Sequence, residues 1–359
     1  MWHETKASII LSVQFPIIQA GMAGGVTTPE LVAAVSNAGA LGMIGAGYMT
    51  ADALKSAIQA VKAGTNKPFG VNLFVPEIPK VKDGELQRAN ELLDPVREKL
   101  GMEKVHMKPA VDVSVFFEQV EIVIRYQVPV CSFTFGIPPE SVIKKLKARG
   151  TILIGTATTV EEAILNEKSG MDLVVAQGSE AGGHRGSFEG DFAHAMIGTM
   201  ALVPQVADAV SIPVIAAGGI MDGRGILSSL ILGAEAVQMG TAFLTTAESG
   251  AHALHKKAVL SATEDRTVVT STFSGKPARG IENGFIREMT EYEKELPPYP
   301  IQNILTQEIR KTAAKQGNAD YLAMWSGQNP RLSRELPADE LVHRLAGEVD
   351  VLIGRIKEK

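Results

Sequence analysis

Eight short apolar runs separated by stretches of helical length predict an α/β protein, a (β/α)8 TIM barrel with a small second domain or lid before its last helix. Three observations carry this prediction. The runs at 16–22, 41–45, 69–75, 128–133, 151–156, 173–177, 213–217 and 236–240 are nearly continuous in small and branched apolar residues, as strands covered on both faces must be. Helical patterns at 28–38, 51–63, 140–149, 159–169, 202–210 and 224–232 lie between them. Glycine-rich segments follow the strands, the side on which such barrels hold their ligands. A doubly wound open sheet shares the same strand count, because counting strands does not close a barrel.

Taken in order, each element has a local reason. The first helix opens at Thr28 with Pro29 at its first helical position, the second at Thr50, and a later one at Thr159 with Glu162 three residues on. Between Lys6 and Asp52 the only charge is Glu30, yet this run is no membrane span. Gln14, Pro16, Gln19, Gly24-Gly25, Ser36, Asn37, Gly39 and Gly45 break it, and lipid would leave the loop amides unsatisfied. The opening Met1-Trp-His-Glu-Thr-Lys6 lacks the basic-then-apolar order of a signal peptide, so the chain reads as cytoplasmic. From 76 to about 120 the text turns charged and helical, too long for one connection, and predicts an insertion of surface helices. After the eighth strand, 248–314 holds a β-branched run at 267–272, the loop Gly275-Lys-Pro-Ala-Arg-Gly280 and the Pro-rich Leu296-Pro-Pro-Tyr-Pro-Ile301. This segment is expected to form a lid over a barrel made of 1–247 and 315–359, with Tyr299 near the substrate and the amphipathic stretch 337–359 as the last barrel helix.

Composition narrows the function. With 359 residues, 45% hydrophobic and 21% charged, the chain can bury a sizeable core. A net charge of −5 and the lack of a basic cluster interleaved with aromatics argue against nucleic acid as a partner. The single cysteine, Cys131, lies in an apolar run and excludes a disulfide framework or Cys-based zinc cluster.

The stretch 176–187, Ala-Gln-Gly-Ser-Glu-Ala-Gly-Gly-His-Arg-Gly-Ser, is the strongest functional signal. Within twelve residues it packs four glycines, one carboxylate, one histidine and one arginine behind a buried strand. Glycines let backbone N–H groups approach a ligand, and His184 is the side chain among them that titrates near neutrality. Other strand ends agree. The first ends Gln19-Ala-Gly-Met22-Ala-Gly-Gly25, small residues against which a flat ligand can lie; the third carries Asn72, an amide suited to a heteroaromatic edge. The seventh and eighth end in Gly218-Gly219 and Gln238-Met239-Gly240-Thr241, the two positions where barrels of this kind bind a phosphate.

These residues resemble a known family. The segments 16–25, 176–186, 213–219 and 237–243 are similar to the nitronate monooxygenases, formerly 2-nitropropane dioxygenases, most nearly those of Gram-positive bacteria. The likeness runs from Pro16 to Gln328. It implies an FMN cofactor. Gly218, Gly219, Gly240 and Thr241 would hold its phosphate, Asn72 and Gln177 would address the isoalloxazine, and Met22, Gly182, Gln238 and Met239 would lie in contact. Trp325-Ser-Gly-Gln328 would close the cofactor site, and His184 would face the substrate as base or, if protonated, as partner of the nitronate oxygens. The implied reaction is oxidation of an alkyl nitronate by dioxygen to a carbonyl compound and nitrite. Where some members carry histidine after the fourth strand, this chain reads Ser132-Phe133-Thr134-Phe135, so low activity on neutral nitroalkanes is expected. Flavin-type enoyl-acyl-carrier-protein reductases and NADH:quinone reductases share much of the pattern, which makes an NAD(P)H-dependent FMN reductase the alternative.

Three weaker features have plainer readings. His252 and His255 read as a solvated helix face, since no third ligand is nearby for a metal. Asp222 reads as the cap of the helix after Gly218-Gly219. Glu180 reads equally as a brace for the histidine loop or as a solvated carboxylate.

Overall fold

A computed structural model describes residues 1–358. Eight parallel strands form one sheet: β1 (Ile17–Gln19), β2 (Gly42–Gly45), β3 (Phe69–Phe74), β4 (Val130–Thr134), β5 (Ile152–Ala157), β6 (Leu173–Gln177), β8 (Val214–Ala217) and β9 (Ala236–Met239); β7 is the two-residue strand Gly183–His184. Their order is β1-β9-β8-β6-β5-β4-β3-β2. A bridge from Ile18 to Leu41 closes the ring, with Gln19 N donating to Leu41 O and Leu41 N to Ile17 O, both at 2.9 Å. The prediction of a barrel over an open sheet is borne out by that closure.

Inward-facing residues of alternate strands, among them Ile18, Met43, Val130, Ile154, Val175 and Ile215, fill the barrel axis. Ala7 and Leu11 join them from helix Lys6–Leu11, which stops the N-terminal mouth. Thr5 Oγ1 docks that helix on Glu235 O at 2.6 Å. The six-residue plug is too short to show an amphipathic period, which is why the sequence did not announce it. The outer layer buries Leu202, Val206, Ile226, Leu341, Leu345 and Val349 against the strands. Helix Ala338–Lys357 packs on helices Gly223–Ile231 and Pro29–Asn37, as the last helix of a barrel should.

One helix start moved and one expected capping box did not form, in both cases because a carboxylate is bonded to another loop. The helix expected from 202 begins at Thr199, whose N–H is capped by the Glu180 carboxylate at 2.9 Å from another loop. Thr159 caps its helix through Glu162 N, but the Glu162 side chain forms no capping box. It turns instead to Thr158 and to the N–H groups of Phe188 and Glu189, bracing the end of the histidine loop.

Over the C-terminal mouth sits a three-stranded antiparallel sheet, β10 (Thr267–Thr270), β11 (Ala278–Ile281) and β7. Ala278 pairs with His184 and Arg279 with Gly183, so the histidine lies on the cover's sheet as well as on a barrel loop. Helix Asp83–Lys99, in the charged stretch after β3, packs Ala89, Leu93 and Val96 into one core with Phe273, Phe285 and Ile309 of the cover.

Candidate active site

Between barrel and cover lies a cavity with about 1330 Å³ of atom-free space, its mouth included. His184 and the ten residues the sequence marked for a cofactor all line it: Met22, Asn72, Gln177, Gly182, Gly218, Gly219, Gln238, Met239, Gly240 and Thr241. Parallel strands with a common C-terminal end bring these scattered residues together.

Two glycine turns form one end of the cavity. Gly218 and Gly219 have φ of 117° and 70°, which a side chain would disfavour. The backbone N–H groups of Gly218, Gly219, Gly240 and Thr241 donate to no protein acceptor among the described residues. Four such free donors at two adjacent strand ends, Thr241 buried and the three glycines half-buried, can take an anionic group. The 325–329 segment fixes these turns from above: Gly327 N donates to Thr241 Oγ1 at 2.9 Å and Asn329 Nδ2 to Gly219 O at 3.2 Å. Gly182 must be glycine, because a Cβ there would collide with the backbone of Ser326 and Gly327.

The polar side chains divide by what already binds them. Asn72 donates through Nδ2 to Ser132 Oγ at 2.8 Å and Thr134 Oγ1 at 3.1 Å, leaving its Oδ1 without a protein donor. Gln177 is committed to the loop, donating to His184 O at 3.1 Å and accepting from Gly186 N at 2.8 Å. Its second Nε2 hydrogen alone remains for a ligand.

His184 is boxed by aromatic rings: Phe135 at 5.5 Å, Trp325 at 5.6 Å and Tyr299 at 5.8 Å between centroids. Burial, reinforced by the charges of Lys276 and Arg310, pushes its pKa down to about 3. Of the two roles the sequence left open, base or protonated partner of the nitronate oxygens, this depressed pKa favours the neutral imidazole of the first. Phe135 occupies a left-handed backbone conformation, φ 73°, rare for a bulky residue and characteristic of functional sites. That conformation places its ring 4.5 Å from Phe74, with Lys276 Nζ 4.9 Å from its centroid.

Arg185 holds the histidine loop. Its side chain is 1% exposed and donates to Gly178 O at 2.5 Å, Gln177 O at 2.9 Å and Ala195 O at 3.0 Å. Burial lowers its pKa to about 10, which still leaves it charged at neutral pH. Arg185→Met should cost about 3 kcal/mol or more, since charged hydrogen bonds contribute about 1.5–3 kcal/mol each and the carbonyls would be left unpaired. Urea denaturation measures this, and an unchanged midpoint would remove Arg185 from the account.

Several placements correct the sequence reading. His255 is not on a solvated face; it is 7% exposed, lines the cavity and donates from Nε2 to Trp325 O at 2.8 Å. Its neighbour His252 caps the helix instead, accepting from Leu254 N. No cluster of three metal-ligating side chains exists among the described residues. Glu180 is a brace, and Asp222 is the cap, accepting from Arg224 N at 2.9 Å. Tyr48, Phe74 and Phe135 line the site without any mark in the sequence, because single aromatics in loops carry no period.

Fold and site together define a barrel enzyme with a covered cavity that gathers two glycine turns and a histidine. A profile of the nitronate monooxygenase family matches residues 4–348, and the chain belongs to that family of oxidoreductases. It is 54% identical over 362 residues to a protein of Staphylococcus haemolyticus named "Probable nitronate monooxygenase", covering 99% of this chain and all of that one. A Staphylococcus aureus protein of the same name is 52% identical, covering 98% and 99%. Among solved structures, the nitroalkane oxidase of Streptomyces ansochromogenes superposes with a TM-score of 0.90 at 41% identity, over 97% of this chain and 99% of that one. FabK of Thermotoga maritima superposes at 0.78 with 33% identity, covering 99% of each chain. No helix among the described residues is long and apolar enough to cross a membrane.

Proposed function

We propose that this protein binds FMN and oxidises alkyl nitronates with dioxygen, releasing a carbonyl compound and nitrite. The observation that carries the reading is the pair of glycine turns with four unpartnered N–H groups, in the same cavity as a neutral histidine. Bound FMN supplies the electron acceptor that no side chain here can provide. Gly218, Gly219, Gly240 and Thr241 are the residues that would hold its phosphate, and Asn72 Oδ1 and the free Gln177 hydrogen complement a heteroaromatic edge that both donates and accepts.

A neutral His184 suits a substrate that is already an anion and has no proton to lose. It is a weak base for a neutral nitroalkane, because a pKa near 3 lies far below the operating pH at which proton transfer is best driven. Lys276, whose ammonium sits on the face of the cavity-lining Phe135 and forms no ion pair among the described residues, is the cation that would complement the anion. Arg310, the other cation near His184, is already spent on Asn303 O, Asn303 Oδ1 and Thr306 O.

The cofactor reading is tested by Gly240→Ala. A Cβ at Gly240 would lie 3.7 Å from Ala20 Cβ and 3.8 Å from Met22 Sδ, ordinary contact that the protein itself tolerates. The purified wild-type protein should be yellow and release FMN on denaturation. The variant should keep its thermal midpoint yet bind FMN at least about tenfold more weakly, because it keeps the N–H but sets a methyl group on the cavity wall where the phosphate would lie, and such overpacking costs about 1–3 kcal/mol. A colourless wild type that FMN cannot reconstitute would end the proposal.

A further inference from the structure

We propose that Ser274, from the cover, fixes His184 in the tautomer protonated at Nε2, so that Nδ1 is the proton-accepting atom of the site. His184 Nε2 lies 2.9 Å from Ser274 Oγ, and Ser274 Oγ lies 3.0 Å from the carbonyl oxygen of Lys276. The serine hydroxyl has one proton to place. If it donates to Lys276 O, Nε2 must carry the imidazole proton and donate to the serine. The opposite tautomer reverses the chain: the serine donates to Nε2 and Lys276 O loses its donor. No other backbone or side-chain donor reaches Lys276 O among the described residues. One arrangement satisfies that carbonyl and the other strips it, so the first prevails.

Nδ1 is the ring nitrogen left for a ligand. Nε2 is tied to Ser274, three aromatic rings cover the imidazole, and the residue lines the cavity. Ser274 itself is 1% exposed, and the turn that carries it is held by Gly275 N donating to Ser271 O at 2.7 Å. Ser274 is thus a positioning residue that acts through His184. When a neutral nitroalkane is the substrate, its α C–H bond breaks, the proton joins Nδ1, and the electron pair stays behind as the nitronate. The imidazolium so formed keeps its Nε2–H on Ser274. This step rests on His184 being the base; the tautomer assignment does not.

The test is the two-bond proton–nitrogen correlation spectrum of the 15N-histidine-labelled protein as purified, with His184 assigned by its loss in His184→Asn. The result expected is the pattern of an Nε2–H imidazole, collapsing in Ser274→Ala to a mixture of tautomers and restored in Ser274→Thr. In parallel, anaerobic exchange of the α-proton of nitroethane with solvent deuterium should slow about tenfold or more in Ser274→Ala, a fraction of the about 10²–10⁴-fold a general base contributes. A wild-type Nδ1–H pattern, or a Ser274→Ala spectrum unchanged from wild type, would overturn the proposal. The spectrum needs no turnover, so failure of the nitronate reading would show separately as absent nitrite release.

Discussion

His184→Asn is expected to lower the already slow turnover of neutral nitroalkanes by about 10²-fold, the low end for a general base because its pKa lies far below the operating pH, while preformed nitronates lose less than about tenfold. The split follows from the imidazole being uncharged: it has a lone pair for a proton but no charge for an anion. Steady-state rates on nitroethane and on its nitronate, prepared in base and added fresh, read it directly. Equal losses on both substrates would mean that His184 contacts the anion after all. The depressed pKa also sets the pH behaviour. With the folded value near 3 and the ordinary value 6.5, the base stays unprotonated through the usual histidine range, so no activity limb from this group appears near pH 6.5. Stability follows the same sign. Between those two values the unfolded chain takes up a proton at this site that the folded chain refuses, so the site's contribution is intact above 6.5 and lost as the pH falls towards 3.

Lys276→Met should raise KM for nitronates about ten- to hundredfold, the 1.5–3 kcal/mol of a hydrogen bond to a charged group, and leave KM for neutral nitroalkanes nearly unchanged. Methionine keeps the apolar stem on Phe135, so the loss isolates the charge. The anion preference should also weaken with salt in the wild type and not in the variant, since only the wild type has a cation to screen. Unchanged nitronate KM would assign Lys276 to the surface.

The barrel was legible because buried parallel strands write themselves as apolar runs, and the cofactor end because glycine turns at strand ends are local in sequence. Every cavity residue read from strand ends reached the cavity. What stayed hidden depends on distant chain segments. The N-terminal plug is too short to show a period, and Thr199 starts its helix because a carboxylate nineteen residues earlier caps it. His255 looked solvated since its helix carries little apolar pattern, yet its Nε2 meets a carbonyl seventy residues away. Ser274 and Lys276 gave no signal at all: their meaning arises when β11 pairs with a two-residue strand of the histidine loop. The charge state of His184 was hidden for a related reason, because the aromatic box around it comes from Phe135 just after β4, Tyr299 and Trp325, far apart in the chain.

Electron transfer from a nitronate in this cavity is read plainly by anaerobic mixing. The FMN-loaded protein, mixed without oxygen with preformed ethyl nitronate, should lose its visible flavin absorbance, and admitting air should restore it with release of nitrite. NADH or NADPH under the same conditions should leave the absorbance unchanged. Rapid bleaching by a reduced nicotinamide with none by the nitronate would contradict the account and place the protein with the flavin reductases.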